Sequence, residues 1–219
     1  MSFIGELINL QELSLSFHNR DDDFKNLQYI HFSQLQILKF DKTCPNHEYL
    51  IKFLEINGKN LKVIHLRRSS SLLNSSIAKF CPKLKSLHTI FRNHEMKTLI
   101  EILNNCQQFE SIKIWCGGPY LNENDLLEIL IKHSSKNFHE LKIFSANYLQ
   151  SSFLKELNPF FTSWANRISR KSFSLIIIDN SSIFKEDVEV IEVIDKFKKL
   201  GVVKKFEIIK ESLNSLLRF

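Results

Sequence analysis

The chain has 219 residues, 43% of them apolar and 25% charged, with a net charge of +6 at neutral pH. That length suits one domain, and five glycines with four prolines are too few breakers for a conventional β-sandwich. No apolar run approaches the roughly 18 residues a membrane-spanning helix needs, and the first residues lack the basic and apolar segments of a secretory leader.

In chain order, one phrase recurs: apolar, two variable residues, apolar, one variable residue, apolar. After Ile4, Leu7 and Ile8 it reads Leu10/Leu13/Leu15, then Leu35/Leu38/Phe40, Leu61/Ile64/Leu66 and, with a polar last member, Leu84/Leu87/Thr89. It continues as Phe109/Ile112/Ile114, Phe138/Leu141/Ile143, Phe173/Ile176/Ile178 and Val203/Phe206/Ile208. Successive starts lie from 23 residues apart (Leu61 to Leu84) to 35 (Phe138 to Phe173). Each phrase predicts a short strand whose side chains alternate between two faces.

Helical patterns fill the intervals. Asn46 precedes a stripe of Leu50, Phe53 and Leu54 that ends at Asn57-Gly58, and Asn74 precedes Ile77 and Phe80, stopped before Pro82. Asn93 precedes Met96, Leu99, Ile100 and Leu103; Asn122 precedes Leu126, Leu127, Leu130 and the basic end Lys132-His133. Short polar side chains at such starts accept bonds from the first free helical amides, so each Asn is expected to be a cap. Pro159, between Phe153 and Trp164, predicts a break or kink. The run Leu175-Ile176-Ile177-Ile178 predicts a strand covered on both faces. A helix from about Lys185 to Lys199 should end at Gly201. Leu213, Leu216 and Leu217 predict a terminal helix closing the last strand.

Strand and helix alternating at this period are the signature of an α/β leucine-rich-repeat solenoid, a curved parallel sheet of about eight strands with outer helices. The expected organisation is a single such domain over 1–219. Within it, 1–9 form an incomplete N-terminal cap and 185–219 a C-terminal capping segment, because solenoid ends must cover an exposed core.

Cys44, Cys81, Cys106 and Cys116 form no C-x-x-C pair, and without a leader they read as reduced thiols of an intracellular, cytoplasmic or nuclear protein. Cys81 and Cys106 each lie three residues before a phrase start, a packing position. Asn74-Ser75-Ser76 and Asn180-Ser181-Ser182 match the glycosylation acceptor pattern, which an intracellular chain does not use.

Counting each phrase start as position zero, positions 0, 3 and 5 point to the core and positions 2, 4 and 6 to the concave face. Position 4 reads Ser14, Lys39, His65, His88, Lys113, Lys142; position 6 reads Ser16, Asp41, Arg67, Ile90, Trp115, Phe144. With adjacent strands about 4.8 Å apart, Lys39, His65, His88, Lys113 and Lys142 form a column flanked by Arg67, Trp115 and Phe144. These eight residues are the candidate site, for an acidic or phosphorylated peptide with an apolar anchor; a merely solvated strand face is the competing reading. His65 and His88 have no carboxylate or Cys at ligand spacing, so they are expected to be solvated rather than zinc-bound.

Trp115-Cys116-Gly117-Gly118-Pro119-Tyr120 predicts a tight loop without a phosphate-cradling pattern, and Cys116 has no base beside it. No nucleophile elbow, zinc-hydrolase, paired-carboxylate or dinucleotide motif occurs, so no enzyme activity, metal or cofactor is expected. Lys198-Lys199, Lys204-Lys205 and Arg167 with Arg170-Lys171 read as solvated surface, since no nucleic-acid-binding module accompanies them.

Three strings carry a family likeness: EYLIKFLEINGKNLK from Glu48 to Lys62, SIAKFCPKLKSL from Ser76 to Leu87, and NNCQQFESI from Asn104 to Ile112. Together the chain resembles the leucine-rich-repeat region of F-box proteins, of the kind expanded in some fungi, over roughly residues 10 to 210. In that family an N-terminal F-box recruits the Skp-type adaptor of a cullin ubiquitin ligase and the repeats hold the substrate. The resemblance thus implies the substrate-recognition part of an SCF-type ligase, with a protein or peptide as partner and no membrane. No L-P-x-E-type segment precedes Leu10, so no adaptor-binding residue carries over, and a Skp-type adaptor is expected only if an F-box is encoded upstream. The family's common Asn at position 8 is also missing; those positions hold His18, Thr43, Ser69, Arg92, Gly117 and Ala146. A stand-alone interaction scaffold is the alternative reading, and a nucleic-acid binder the remote one.

Overall fold

The computed structural model describes residues 9–16, 22–41, 44–145, 151–167, 171–179 and 188–210. In chain order the elements are β1 (Glu12–Leu15), α1 (Asp22–Lys25), β2 (Ile37–Phe40), α2 (His47–Asn57), β3 (Val63–His65), α3 (Ser71–Phe80), β4 (Ser86–Thr89) and α4 (Met96–Asn105). They continue with β5 (Ser111–Cys116), α5 (Glu123–His133), β6 (Glu140–Ser145), α6 (Ser151–Ala165), β7 (Phe173–Asp179), α7 (Val188–Lys199) and β8 (Val203–Lys210). All eight strands join one sheet whose spatial order is the chain order. Every neighbouring pair is parallel. Parallel neighbours need a crossover, and each helix from α2 to α6 packs on the next. The helices therefore make one layer on one face of the sheet.

The recurring phrase explains that layer. Its middle residues, Leu13, Leu38, Ile64, Leu87, Ile112 and Leu141, stand opposite one another in a single register row. All six are buried against Leu50, Phe53, Leu73, Ile77, Leu99, Leu103, Leu126 and Leu130 of the helices. The phrase at Phe173 is one residue out of step. Leu175 pairs with Leu141 and Ile177 with Ile143, so Ile176 and Ile178 face away from the helices. An irregularity between Phe173 and Ser174 restores the phase in β8, where Phe206 pairs with Leu175. The apolar run is indeed buried on both faces, from Phe173 to Ile178.

Two expected caps hold: Asn46 Oδ1 accepts from the Glu48 amide at 2.8 Å, and Asn122 Oδ1 from those of Asn124 and Asp125. Two differ. Ser70 caps α3, accepting from the Leu73 amide, so Asn74 lies inside the helix and is wholly buried. A 3-10 turn, Asn93–Glu95, leads into α4, where Met96 is exposed and Leu99, Ile102 and Leu103 make the stripe. Pro159 does not end α6. It sits on the exposed side while Phe153, Leu157, Phe160, Phe161 and Trp164 are buried.

Gly58 marks a close approach of two successive units. A Cβ there would stand 2.7 Å from the Phe80 carbonyl oxygen, closer than real contacts allow. Cys106 Sγ donates to the Cys81 carbonyl at 3.3 Å, and burial pushes both thiols up, Cys106 to about 12. α7 ends before Gly201 as expected. The start of that helix at Lys185, Leu213, Leu216, Leu217, Asn180 and all but the last residue of the 1–9 cap lie outside the described residues.

Candidate functional site

On the face opposite the helices, register pairing brings Lys39, His65, His88, Lys113 and Lys142 into one row, as expected, and Ile176 and Glu207 extend it. A second row joins Trp115, Phe144, Ile178 and Ile209. Arg67 falls just beyond β3, half-buried at the end of the strand.

The row is less cationic than its residue types suggest. Lys39 Nζ lies 2.7 Å from Glu12 and Lys142 Nζ 3.1 Å from Glu140. Lys113 Nζ sits 4.6 Å from the centre of the Phe144 ring. Glu12 and Glu140 both occupy position 2, a row that the position-4 reading left out.

His65 and His88 are half-buried rather than fully solvated. Their rings meet at 4.1 Å between centroids, tilted by 36°. Burial, and then Lys113, lower the His65 pKa to about 4, with Arg67 and Lys39 adding to Lys113 and Asp41 opposing it. Burial, then His65, Lys113 and Arg67, lower His88 to about 2. Both imidazoles are therefore neutral near pH 7. His65 Nε2 and His88 Nδ1 are buried without a hydrogen-bond partner among the described residues. A cation is a poor occupant there, because the neighbouring Lys113 and Arg67 repel it. Among the described residues no group of three or more His, Cys, Asp or Glu is arranged to hold a metal ion.

Phe144 is buried under its neighbours rather than open to a partner. It is only 4% exposed, stacked on Trp115 at 4.9 Å and 20°, and faced by His88 at 5.9 Å and 27°. With Ile176 and Ile178 it forms a second apolar cluster, separate from the main core, against which Trp115 packs. Stacked rings occupy one another's faces, so this surface offers ring edges rather than open platforms for nucleobases. Ile176 and Ile178 escaped the sequence reading because of the one-residue phase slip.

Beyond the C-terminal ends of β3 and β4 the loops are tied by Asn74. Its Oδ1 accepts from Ser69 and Thr89, and its Nδ2 donates to the Ile90 carbonyl and to Glu95. The polar last member of the fourth phrase, Thr89, is thereby explained. Glu95 is 3% exposed and also accepts from the Arg92 amide at 2.7 Å. Beside this network opens a pocket of about 440 Å³ lined by, among others, Asn46, His47, Arg68, Arg92, Glu95 and Tyr120. Gly117 and Gly118, at φ of 83° and 61°, shape the loop that brings in Tyr120, whose ring lies 6.0 Å from Trp115. These lining residues are spread from position 46 to 120, a spacing no local motif reveals.

Cys116 is fully buried, and burial followed by Glu123 holds its thiol well above the ordinary range, which favours the protonated form. No described helix is long and apolar enough to cross a membrane. No protein-family model matches the chain, and no curated protein matches its sequence.

Proposed function

We propose that the chain is a protein-binding leucine-rich-repeat solenoid, acting like the substrate-recognition part of an F-box ubiquitin-ligase subunit. The observation that carries this reading is the common row of Lys39, His65, His88, Lys113 and Lys142 on the helix-free face. A hydrogen-bonded sheet holds these side chains in place, so a partner binds them at little ordering cost. The partner is a protein or peptide segment that meets ring edges, neutral imidazoles and lysines, with no cofactor and no catalytic step.

The test is quantitative affinity capture from extract of the natural source, run in parallel with wild type and with Lys113→Glu plus Lys142→Glu. The reading expects a set of proteins retained by wild type alone, with the two melting temperatures nearly equal. Equal retention on both baits refutes it, and unfolding of the variant refutes the placement of the two lysines. A Skp-type adaptor among the retained proteins assigns the ligase role; its reproducible absence leaves the stand-alone scaffold.

A further inference from the structure

The positive charge of this surface is distributed differently from what the residue column implies. Lys39 and Lys142 are each paired with a carboxylate, and Lys113 lies on an aromatic ring. The pocket at the C-terminal rim holds Arg68 and Arg92, both exposed, and neither forms an ion pair with a described residue. They come from the loops after β3 and β4, which neighbour each other in the sheet.

The other walls add to the same polarity. His47 and its cap Asn46 place the first turn of the eleven-residue α2 at the pocket, where the helix dipole favours negative charge. Tyr120 supplies a hydroxyl. Glu95 is the carboxylate among the lining residues, and both of its oxygens already accept bonds, from Asn74 and from the Arg92 amide. Its charge offsets one guanidinium and leaves the other in excess.

From this arrangement we infer that the rim pocket binds a phosphate monoester carried on a side chain of the protein partner. Two guanidinium forks match the geometry of phosphoryl oxygens better than ammonium groups do. A volume of about 440 Å³ is several times that of a phosphate group and admits the side chain that bears it. Tyr120 links the pocket to Trp115 and hence to the helix-free face, so one peptide reaches both. The carrier, though not the anion site, rests on the protein-binding reading.

The experiment is an NMR titration of the whole chain, following arginine side-chain and backbone amide signals. Its probes are N-acetyl-phosphoserine amide, the same compound without phosphate, inorganic phosphate and adenosine monophosphate. Saturable shifts at Arg68, Arg92, His47 and Glu48 are expected with the phosphoserine compound, weaker ones with inorganic phosphate, and none with the unphosphorylated compound. Arg68→Ala with Arg92→Ala should weaken phosphoserine binding about tenfold or more, while Lys132→Ala, in the last turn of α5, leaves it unchanged. A thermal melt confirms that each variant is folded. Absence of saturable shifts, or equal affinity in the double arginine variant, overturns the site. Tighter binding of the nucleotide than of phosphoserine overturns the protein carrier. The lysine-column captures are read separately, so either proposal can fail while the other stands.

Discussion

The two halves of the helix-free face are built on opposite principles. Around β3 and β4 the surface is polar: His65 lies against His88, each with a buried ring nitrogen lacking a partner among the described residues, and Asn74 ties the adjoining loops with four hydrogen bonds. Around β6 and β7 it is apolar, with Phe144, Ile176 and Ile178 closing on Trp115. Both halves ride on the same parallel ladder and the same helix layer. The difference teaches that the backbone is indifferent to what this face carries: one half adds stability through burial, and the other holds unsatisfied groups at a cost.

Three changes sharpen or break this contrast, beginning with the largest. Phe144→Ala should remove about 3 kcal/mol in urea denaturation, because a buried ring is lost and a cavity left behind. The emission of Trp115 should shift to the red as its stacking partner disappears. A loss below about 1 kcal/mol would mean that the apolar half is a surface patch and not a second core.

Asn74→Ala should cost about 2 kcal/mol, since the Ile90 carbonyl and one Glu95 oxygen lose their donor inside the protein. Asn74→Ser should recover little, its side chain being too short to span both loops. A neutral outcome in the same denaturation assay would remove the polar network from the stability of its half.

The histidine pair makes the most specific contribution, through the pH dependence of stability. In the unfolded chain each ring titrates near 6.5, whereas in the fold burial and neighbouring cations hold His65 at about 4 and His88 at about 2. The unfolded state therefore binds more protons below 6.5. Stability is full above that pH and declines as the pH falls from 6.5 toward 4 for His65, and further for His88. Urea midpoints compared at about pH 7 and about pH 5 should drop in the wild type and stay nearly level in His65→Leu with His88→Leu. Parallel behaviour of the two proteins would show that the rings are as open to water in the fold as in the unfolded chain.

Much of the architecture was legible because strand phrases state their own phase. Seven of the eight triplets keep the stated phase, and the row from Lys39 to Lys142 follows from alternation alone. Phe173 misled because a continuous apolar run carries no alternation to mark its phase. Asn74 misled for a related reason: a cap and a buried helical amide are the same residue type, and only the neighbouring loops decide between them. Pro159 was read from the local cost of a missing amide, which the buried aromatic side of α6 outweighs.

The sequence by itself determined the parallel order of strands, the helix layer and which side chains share a face, since these depend on periodicity along the chain. Only the tertiary structure decided that two lysines are neutralised, that two histidines each bury a ring nitrogen, and that Arg68, Arg92 and Tyr120 meet across one pocket. Charge and solvation depend on distances between residues far apart in the chain, and those distances exist only once the strands are stacked.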